Sequence, residues 1–345
     1  MAYMWQEIMQ QPGILTDCLK KNEEEIQKIV KAVRQKDIRY VVIAARGTSD
    51  NAAVYGKYIL EIMTGIPVAL AAPSVVTIYG KKLRLDHTLV IGISQSGRAG
   101  DAAEVIECAN QSDAVTVSIT NFPDSPLAGL SDFHLSCEAG LEKSVAATKT
   151  FTAQMILLAA LAAAIADNTE LREELGRVPA GIEKILQMNP EIEKVVQRYR
   201  FMNECFVLAR GVNYPIALEA ALKIQETSYV RAKAFAVSDF YHGPMAMIEK
   251  DMPVFIFSPD GPMLKDVRQM IAKLAENKAD LLIVSNLKDV CALGQASMLL
   301  NAEGSELVFP FYNAVVAQML AYHLSVLKQY NPDSPRMLQK VTITR

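Results

Sequence analysis

The chain has 345 residues, 51% of them hydrophobic and 21% charged, with a formal net charge of -3. That composition is ordinary for a globular protein, and the length leaves room for two buried cores. The charge balance excludes a protein that grips nucleic acid by electrostatics. The five cysteines, Cys18, Cys108, Cys137, Cys205 and Cys291, are scattered without a CxxC pair. They read as reduced core filler of a cytoplasmic protein. Met1 to Lys20 lacks a basic-then-apolar signal pattern.

An N-terminal helical segment over 1–39 opens the chain, with helix predicted from Met4 to Gln35. Tyr40-Val41-Val42-Ile43-Ala44-Ala45 then reads as a buried parallel strand ending in Arg46-Gly47-Thr48-Ser49-Asp50. A helix follows to Glu61, and short strands recur at Pro67–Leu70, Thr88–Ile93, Val115–Ile119 and Phe133–Ser136. The most apolar stretch, Gln154 to Ala166, is too short to span a bilayer and is assigned to a buried or interface helix, which leaves no membrane partner. These elements make a first α/β domain over 40–166, followed by a helical linker over 167–200.

The second half repeats the first. Cys205-Phe206-Val207-Leu208-Ala209-Arg210-Gly211-Val212 copies the strand-Arg-Gly ending of Val41 to Thr48, and a helix is expected from Pro215 to Tyr229. Strands are expected at Val254–Phe257, Leu281–Val284 and Leu307–Phe309, with a long helix from Asn313 to Gln329. The second domain therefore covers 201–329 and a tail covers 330–345. Strands alternating with helices predict an α/β protein of two tandem doubly wound parallel sheets.

Ile91-Gly92-Ile93-Ser94-Gln95-Ser96-Gly97, leading into a helical Arg98-to-Asn110 segment, describes a strand, a tight turn and a helix start. Hydroxyls and unpaired amides at a helix N-terminus suit a small anion. Thr48-Ser49 supplies a second such loop, and Ser144-Val145-Ala146-Ala147-Thr148-Lys149-Thr150 a third, although taken alone that one is better read as helix capping by Thr148 or Thr150. The second repeat has Val212-Asn213 and Ser258-Pro259-Asp260-Gly261 at the matching places, and Asp260 repels phosphate. The anion site therefore belongs to the first domain. With neither GxxxxGK[ST] nor GxGxxG present, a sugar phosphate suits these loops better than a nucleotide.

Lys223, Glu226, Tyr229 and Lys233 fall on one helical stripe. Spacing alone favours a solvated Lys223–Glu226 pair over a general base in a partly buried site. His242, held in Tyr241-His242-Gly243-Pro244, is the best catalytic histidine. His87, His134 and His323 are scattered, and no two histidines have metal-ligand spacing, so no metal is expected. Lys340 reads by itself as a solvent lysine, while Leu338, Val341 and Ile343 predict a tail that packs down.

In order and spacing, Gly47-Thr48-Ser49, Ser94-Gln95-Ser96-Gly97, Val145 to Phe151, Lys223-Ile224-Gln225-Glu226, His242-Gly243-Pro244 and the Lys340 tail resemble the sugar isomerase (SIS) family. The likeness is to the isomerase half of glucosamine-6-phosphate synthase and its stand-alone relatives, and it covers Tyr40 to Arg345. It implies a homodimer and no cofactor. It also implies sugar-phosphate contacts by Thr48, Ser49, Ser94, Gln95 and Ser96 beside Gly47, and a backbone contact at Val145. By the same resemblance Glu226 is the base between C1 and C2, and Lys223 lies close to it. His242 opens the ring from the other subunit, and Lys340 forms a Schiff base. The glutaminase domain of the synthase is not expected here, since Met1 is followed by Ala2. Arg98-Ala99 replaces a Glu-Thr pair, and Arg46 stands where the synthase has a small residue. Both arginines resemble the branch that includes type II glucosamine-6-phosphate deaminases. The implied reaction is deamination of glucosamine 6-phosphate to fructose 6-phosphate. Deglycation of a fructosamine 6-phosphate, reaction of another amino sugar phosphate, and non-catalytic sugar-phosphate sensing are the alternatives.

Overall fold

The structure is a computed structural model that describes residues 2–340. Among the described residues ten strands form two separate five-stranded sheets, both wholly parallel. The first contains β1 (Tyr40–Ala44), β2 (Val68–Leu70), β3 (Thr88–Ser94), β4 (Val115–Thr120) and β5 (Phe133–Ser136), in the order β2-β1-β3-β4-β5. The second contains β6 (Glu204–Ala209), β7 (Arg231–Ala236), β8 (Pro253–Phe257), β9 (Asp280–Ser285) and β10 (Ala296–Leu299), in the order β10-β9-β8-β6-β7. The chain is therefore α/β with two doubly wound sheets, as the strand–helix alternation predicts. Each sheet reverses its winding beside its first strand, between β1 and β3 and between β6 and β8. Such switch points are where open α/β sheets take ligands.

Each sheet lies in its own compact unit. The first-sheet unit comprises 10–142, 149–179 and, from the tail, Gln339 and Lys340. The second-sheet unit comprises the N-terminal residues through Met9, Lys143–Thr148 and Ala180–Leu338. In the first, every residue of β3 is buried, because helices cover both sheet faces. The Lys149–Ile165 helix is buried almost throughout and packs on the Thr48–Thr64 helix. A Cβ at Gly56 would lie 3.0 Å from Leu158 Cδ1, so the absence of a side chain there permits the close approach. This packing accounts for the apolar stretch. No helix among the described residues is long and apolar enough to cross a membrane. In the second unit Phe206 and Phe240 meet edge-on at 5.3 Å within a cluster that includes Val254, Ile256 and Met270. All five cysteines are buried and unpaired, as their scatter predicts.

The expected opening helical region forms as three helices, Tyr3–Met9, Gln11–Lys21 and Glu23–Gln35. Asn22 makes the second break: its side chain donates to Ser136 O and accepts from Ser136 N, at 2.9 and 2.7 Å, an exchange that also secures β5. The expected Leu307–Phe309 strand does not form. Phe309 starts the Phe309–Leu327 helix, where Pro310 suits the first turn. Two unpredicted strands, β7 and β10, lie at the edges of the second sheet. The exposed Arg231 and Lys233 of β7 are charges typical of an edge strand, and they masked its alternation. Lys233 is therefore on a strand, and Tyr229 is the left-handed C-cap (φ 56°) of the Tyr214–Ser228 helix, so the four-residue stripe stops at Glu226.

The Thr169–Leu186 helix supplies a paired test. A Cβ at Gly176 meets nothing within 4 Å, whereas one at Gly181 would lie 2.4 Å from Tyr312 Cε1. Gly176→Ala is expected to stabilise by about 1 kcal/mol. Gly181→Ala, with the same gain in propensity, is expected to destabilise by about 1–3 kcal/mol, since the buried Tyr312 ring must move. Thermal melts of the two variants check the opposite signs.

Candidate active site

The first-sheet switch point is lined by the loops that leave β1 and β3. Gly47 has φ 58° with open space at its Cβ position, so backbone conformation alone calls for glycine. It precedes the Thr48–Thr64 helix with no side-chain cap, and Ala99 precedes the Gly100–Ala109 helix in the same way. Two helix N-termini thus lack side-chain caps beside the loops. Gly97 is doubly constrained: its φ is 63°, and a Cβ would fall 2.1 Å from Ser125 Oγ. Backbone bonds from Gly97 N to Ser94 O, Asn121 N to Gln95 O and Leu127 N to Gly97 O, all at 3.1 Å, hold the loop in shape.

The predicted contacts divide in this frame. Thr48, Gln95 and Ser96 are half-buried and Ser94 is buried, while Gly47 and Arg98 are exposed. Ser96 Oγ accepts from Arg98 N at 3.3 Å, which folds the turn back on itself. Ser49 is buried, with Oγ accepting from Gln154 Nε2 at 3.1 Å, so its hydroxyl braces the helix pair. Arg46 Nε donates to Asp101 Oδ2 at 2.7 Å, and Asp101 is buried in the first turn of the following helix. Burial pushes the Asp50 carboxyl above its ordinary range, against the opposing pull of the Arg46 guanidinium.

The first-sheet unit also holds Lys340, and here the sequence expectation fails. This lysine is not a solvent residue. Its Nζ donates to Glu142 Oε2 at 2.7 Å, and the Glu142 side chain is wholly buried. Thr150 joins the same carboxylate, through Oγ1 to Oε2 at 2.8 Å and through its amide to Oε1 at 3.2 Å. Thr150 therefore serves Glu142, and simple capping does not describe it. Of the tail residues expected to pack, Leu338 is exposed, and Val341 and Ile343 lie outside the described residues.

In the second-sheet unit, Lys223 is only 1% exposed on the Tyr214–Ser228 helix. Its Nζ lies 2.5 Å from Glu226 Oε2 and 3.5 Å from Glu219 Oε1. The pair expected to be solvated is thus a buried cation between two carboxylates. Glu219 is fully enclosed, and Glu226 retains 20% side-chain exposure. Within this triad Glu226 is the member with a reachable carboxylate. His242 is exposed on the turn before the Pro244–Met247 helical turn, where Gly243 has φ 143°.

Val145 N donates to Asp333 O at 3.2 Å. The Asp333 carboxylate accepts in turn from Tyr3 N and Met4 N, both at 2.8 Å. The buried Glu7 carboxylate accepts from Lys143 N and Ser144 N and holds the start of the Val145 loop. Sequence reasoning missed Glu7, Asp101, Glu142, Glu219 and Asp333 as supporting groups. Only Glu219 left a local trace, four residues before Lys223 on one helix face.

The sequence profile of the SIS domain matches residues 36–164 and 202–328. The chain belongs to the SIS domain family, which it carries in two copies. It is 32% identical over 345 residues to the glutamine–fructose-6-phosphate aminotransferase (isomerizing) of Pyrococcus horikoshii, covering 98% of this chain and 57% of that protein. The chain therefore spans a little over half the length of that relative. The C-terminal domain of glucosamine-fructose-6-phosphate aminotransferase from Francisella tularensis superimposes with a TM-score of 0.88 at 27% identity, covering 96% of this chain and 98% of that one. The glucosamine-6-phosphate deaminase of Thermotoga maritima shares the fold, with a TM-score of 0.79 at 22% identity over 99% and 100% of the two chains.

Proposed function

We propose that the protein is an isomerising deaminase of an amino sugar phosphate, converting glucosamine 6-phosphate and water to fructose 6-phosphate and ammonia. The observation that carries this reading is Glu226, a reachable carboxylate pinned to the buried Lys223. Similarity to aminotransferases named as isomerizing supports the wider class, an enzyme that isomerises amino sugar phosphates.

In this reading Thr48, Ser94, Gln95 and Ser96 anchor the phosphate at the two helix starts, and Arg98 adds a cation. His242 assists ring opening. Glu226 takes the C2 proton of the open aldehyde and returns it at C1, leaving an imine at C2. Lys340 captures that carbon and releases ammonia before water frees the ketose. The acidity of the C2 proton comes from the neighbouring carbonyl, so these residues suffice without a metal or redox cofactor. The protein acts as a homodimer in the cytoplasm, where its unpaired thiols stay reduced. Mixing Glu226 and His242 single variants restores part of the activity if His242 serves the other subunit.

The deciding assay measures ammonia and fructose 6-phosphate made from glucosamine 6-phosphate with neither glutamine nor metal added. Turnover supports the reading. Silence, with sugar phosphates still raising the melting temperature, refutes it in favour of a fructosamine-phosphate substrate or a sensor. Ser96→Ala is expected to weaken phosphorylated sugars about tenfold, the worth of one hydrogen bond to a charged group. Titrations with the matching unphosphorylated sugars should show no change.

A further inference from the structure

The contacts around Lys340 reach beyond a tail lysine near a sugar site. Its partner Glu142 is held by the backbone that precedes it and by Thr150, all within the first-sheet unit. Asn121 accepts from Ala139 N at 2.9 Å and donates to Gly140 O at 2.5 Å. Lys149 Nζ, buried at the start of its helix, donates to Leu141 O at 3.0 Å and to Gln10 Oε1 at 2.8 Å. The backbone before Glu142 is thus fixed at three successive residues. Thr150 then aims the carboxylate, binding one oxygen through its amide and the other through its hydroxyl. The Glu142 side chain is wholly enclosed, and it meets a lysine that keeps 23% exposure. A carboxylate mounted so rigidly sets where Nζ sits, whereas a surface ion pair would not.

We propose that Glu142 is the mount and the proton acceptor of Lys340. This deepens the deaminase reading and rests on it. An ammonium has no lone pair for carbon, so one proton must leave Nζ before attack, and Glu142 Oε2 is the acceptor at 2.7 Å. The Nζ lone pair then forms a bond to C2, and the π pair of the C2 imine moves to the substrate nitrogen. That nitrogen takes back the proton held by Glu142. A second proton passes from the Lys340 nitrogen to the substrate nitrogen, and the old C2–N bond breaks with its electron pair. Ammonia leaves, Lys340 remains as an iminium on C2, and Glu142 is again a carboxylate.

The test compares wild type, Glu142→Gln, Thr150→Val and Lys340→Ala. Each is treated with propanal and cyanoborohydride, and labelling at Lys340 is read by peptide mass spectrometry against the other lysines. Lys340→Ala gives the background. Glu142→Gln is expected to cut labelling at Lys340 at least tenfold and to lower kcat on glucosamine 6-phosphate about a hundredfold with KM little changed. A merely structural role would move KM and the melting temperature together. Thr150→Val, which removes one bond to Glu142 and leaves Lys340 intact, is expected to cut labelling several-fold, and it decides the matter if Glu142→Gln fails to fold. Unchanged or faster labelling in the folded variants overturns the proposal. Glu142-dependent labelling in a wild type that releases no ammonia refutes the reaction instead and leaves the Glu142–Lys340 pairing standing.

Discussion

Glu226→Gln is expected to lose turnover by about 10²–10⁴-fold, the range spanned by removal of a positioned general base. The amide keeps the size of the side chain and can still accept a bond from Lys223 Nζ, 2.5 Å from the native oxygen. Folding and phosphate binding should therefore survive, and the loss should fall on proton transfer alone. The decisive readout is exchange of the C1 and C2 hydrogens in deuterated water, followed by NMR on glucosamine 6-phosphate or fructose 6-phosphate. Exchange at the wild-type rate would remove Glu226 from the mechanism. Abolished exchange with unchanged affinity for the sugar phosphate would identify it as the base.

The second large effect is on stability. Lys223→Met is expected to cost about 3–5 kcal/mol, because it leaves the enclosed Glu219 carboxylate without its cation and facing Glu226. Removing the enclosed charge as well, as in Glu219→Gln with Lys223→Met, should recover much of that loss, since the one carboxylate that remains, Glu226, keeps 20% side-chain exposure to water. Thermal and urea unfolding of the single and double variants measures the difference. Additive losses would mean that the two side chains act independently despite their 3.5 Å separation.

Much of the fold was legible because buried parallel strands announce themselves as apolar runs. β3 and β4, buried at every position, were placed within a residue. The edge strands β7 and β10 were not, since an edge carries charges and short polar residues that look like a loop. The Leu307–Phe309 error has the opposite origin: three apolar residues suit a strand, but Pro310 commits them to a helix start. In the site, the loop glycines and hydroxyls could be read from local pattern. Burial could not. A solvated Lys223–Glu226 pair and an enclosed one have identical spacing, and only packing tells them apart. Glu142 lies 198 positions from Lys340, a separation at which no local pattern operates.

That separation also has a consequence for how the protein is made. Its first sheet is complete in sequence once β5 has been translated, yet the carboxylate of Glu142 must wait for an amine 198 residues further along. At about 5–20 residues per second, the ribosome delivers Lys340 roughly 10–40 s after Glu142. During that interval Thr150, only eight residues downstream, is already in place to hold the carboxylate. The nascent chain can therefore position the carboxylate half of this pair early and receives the lysine half much later.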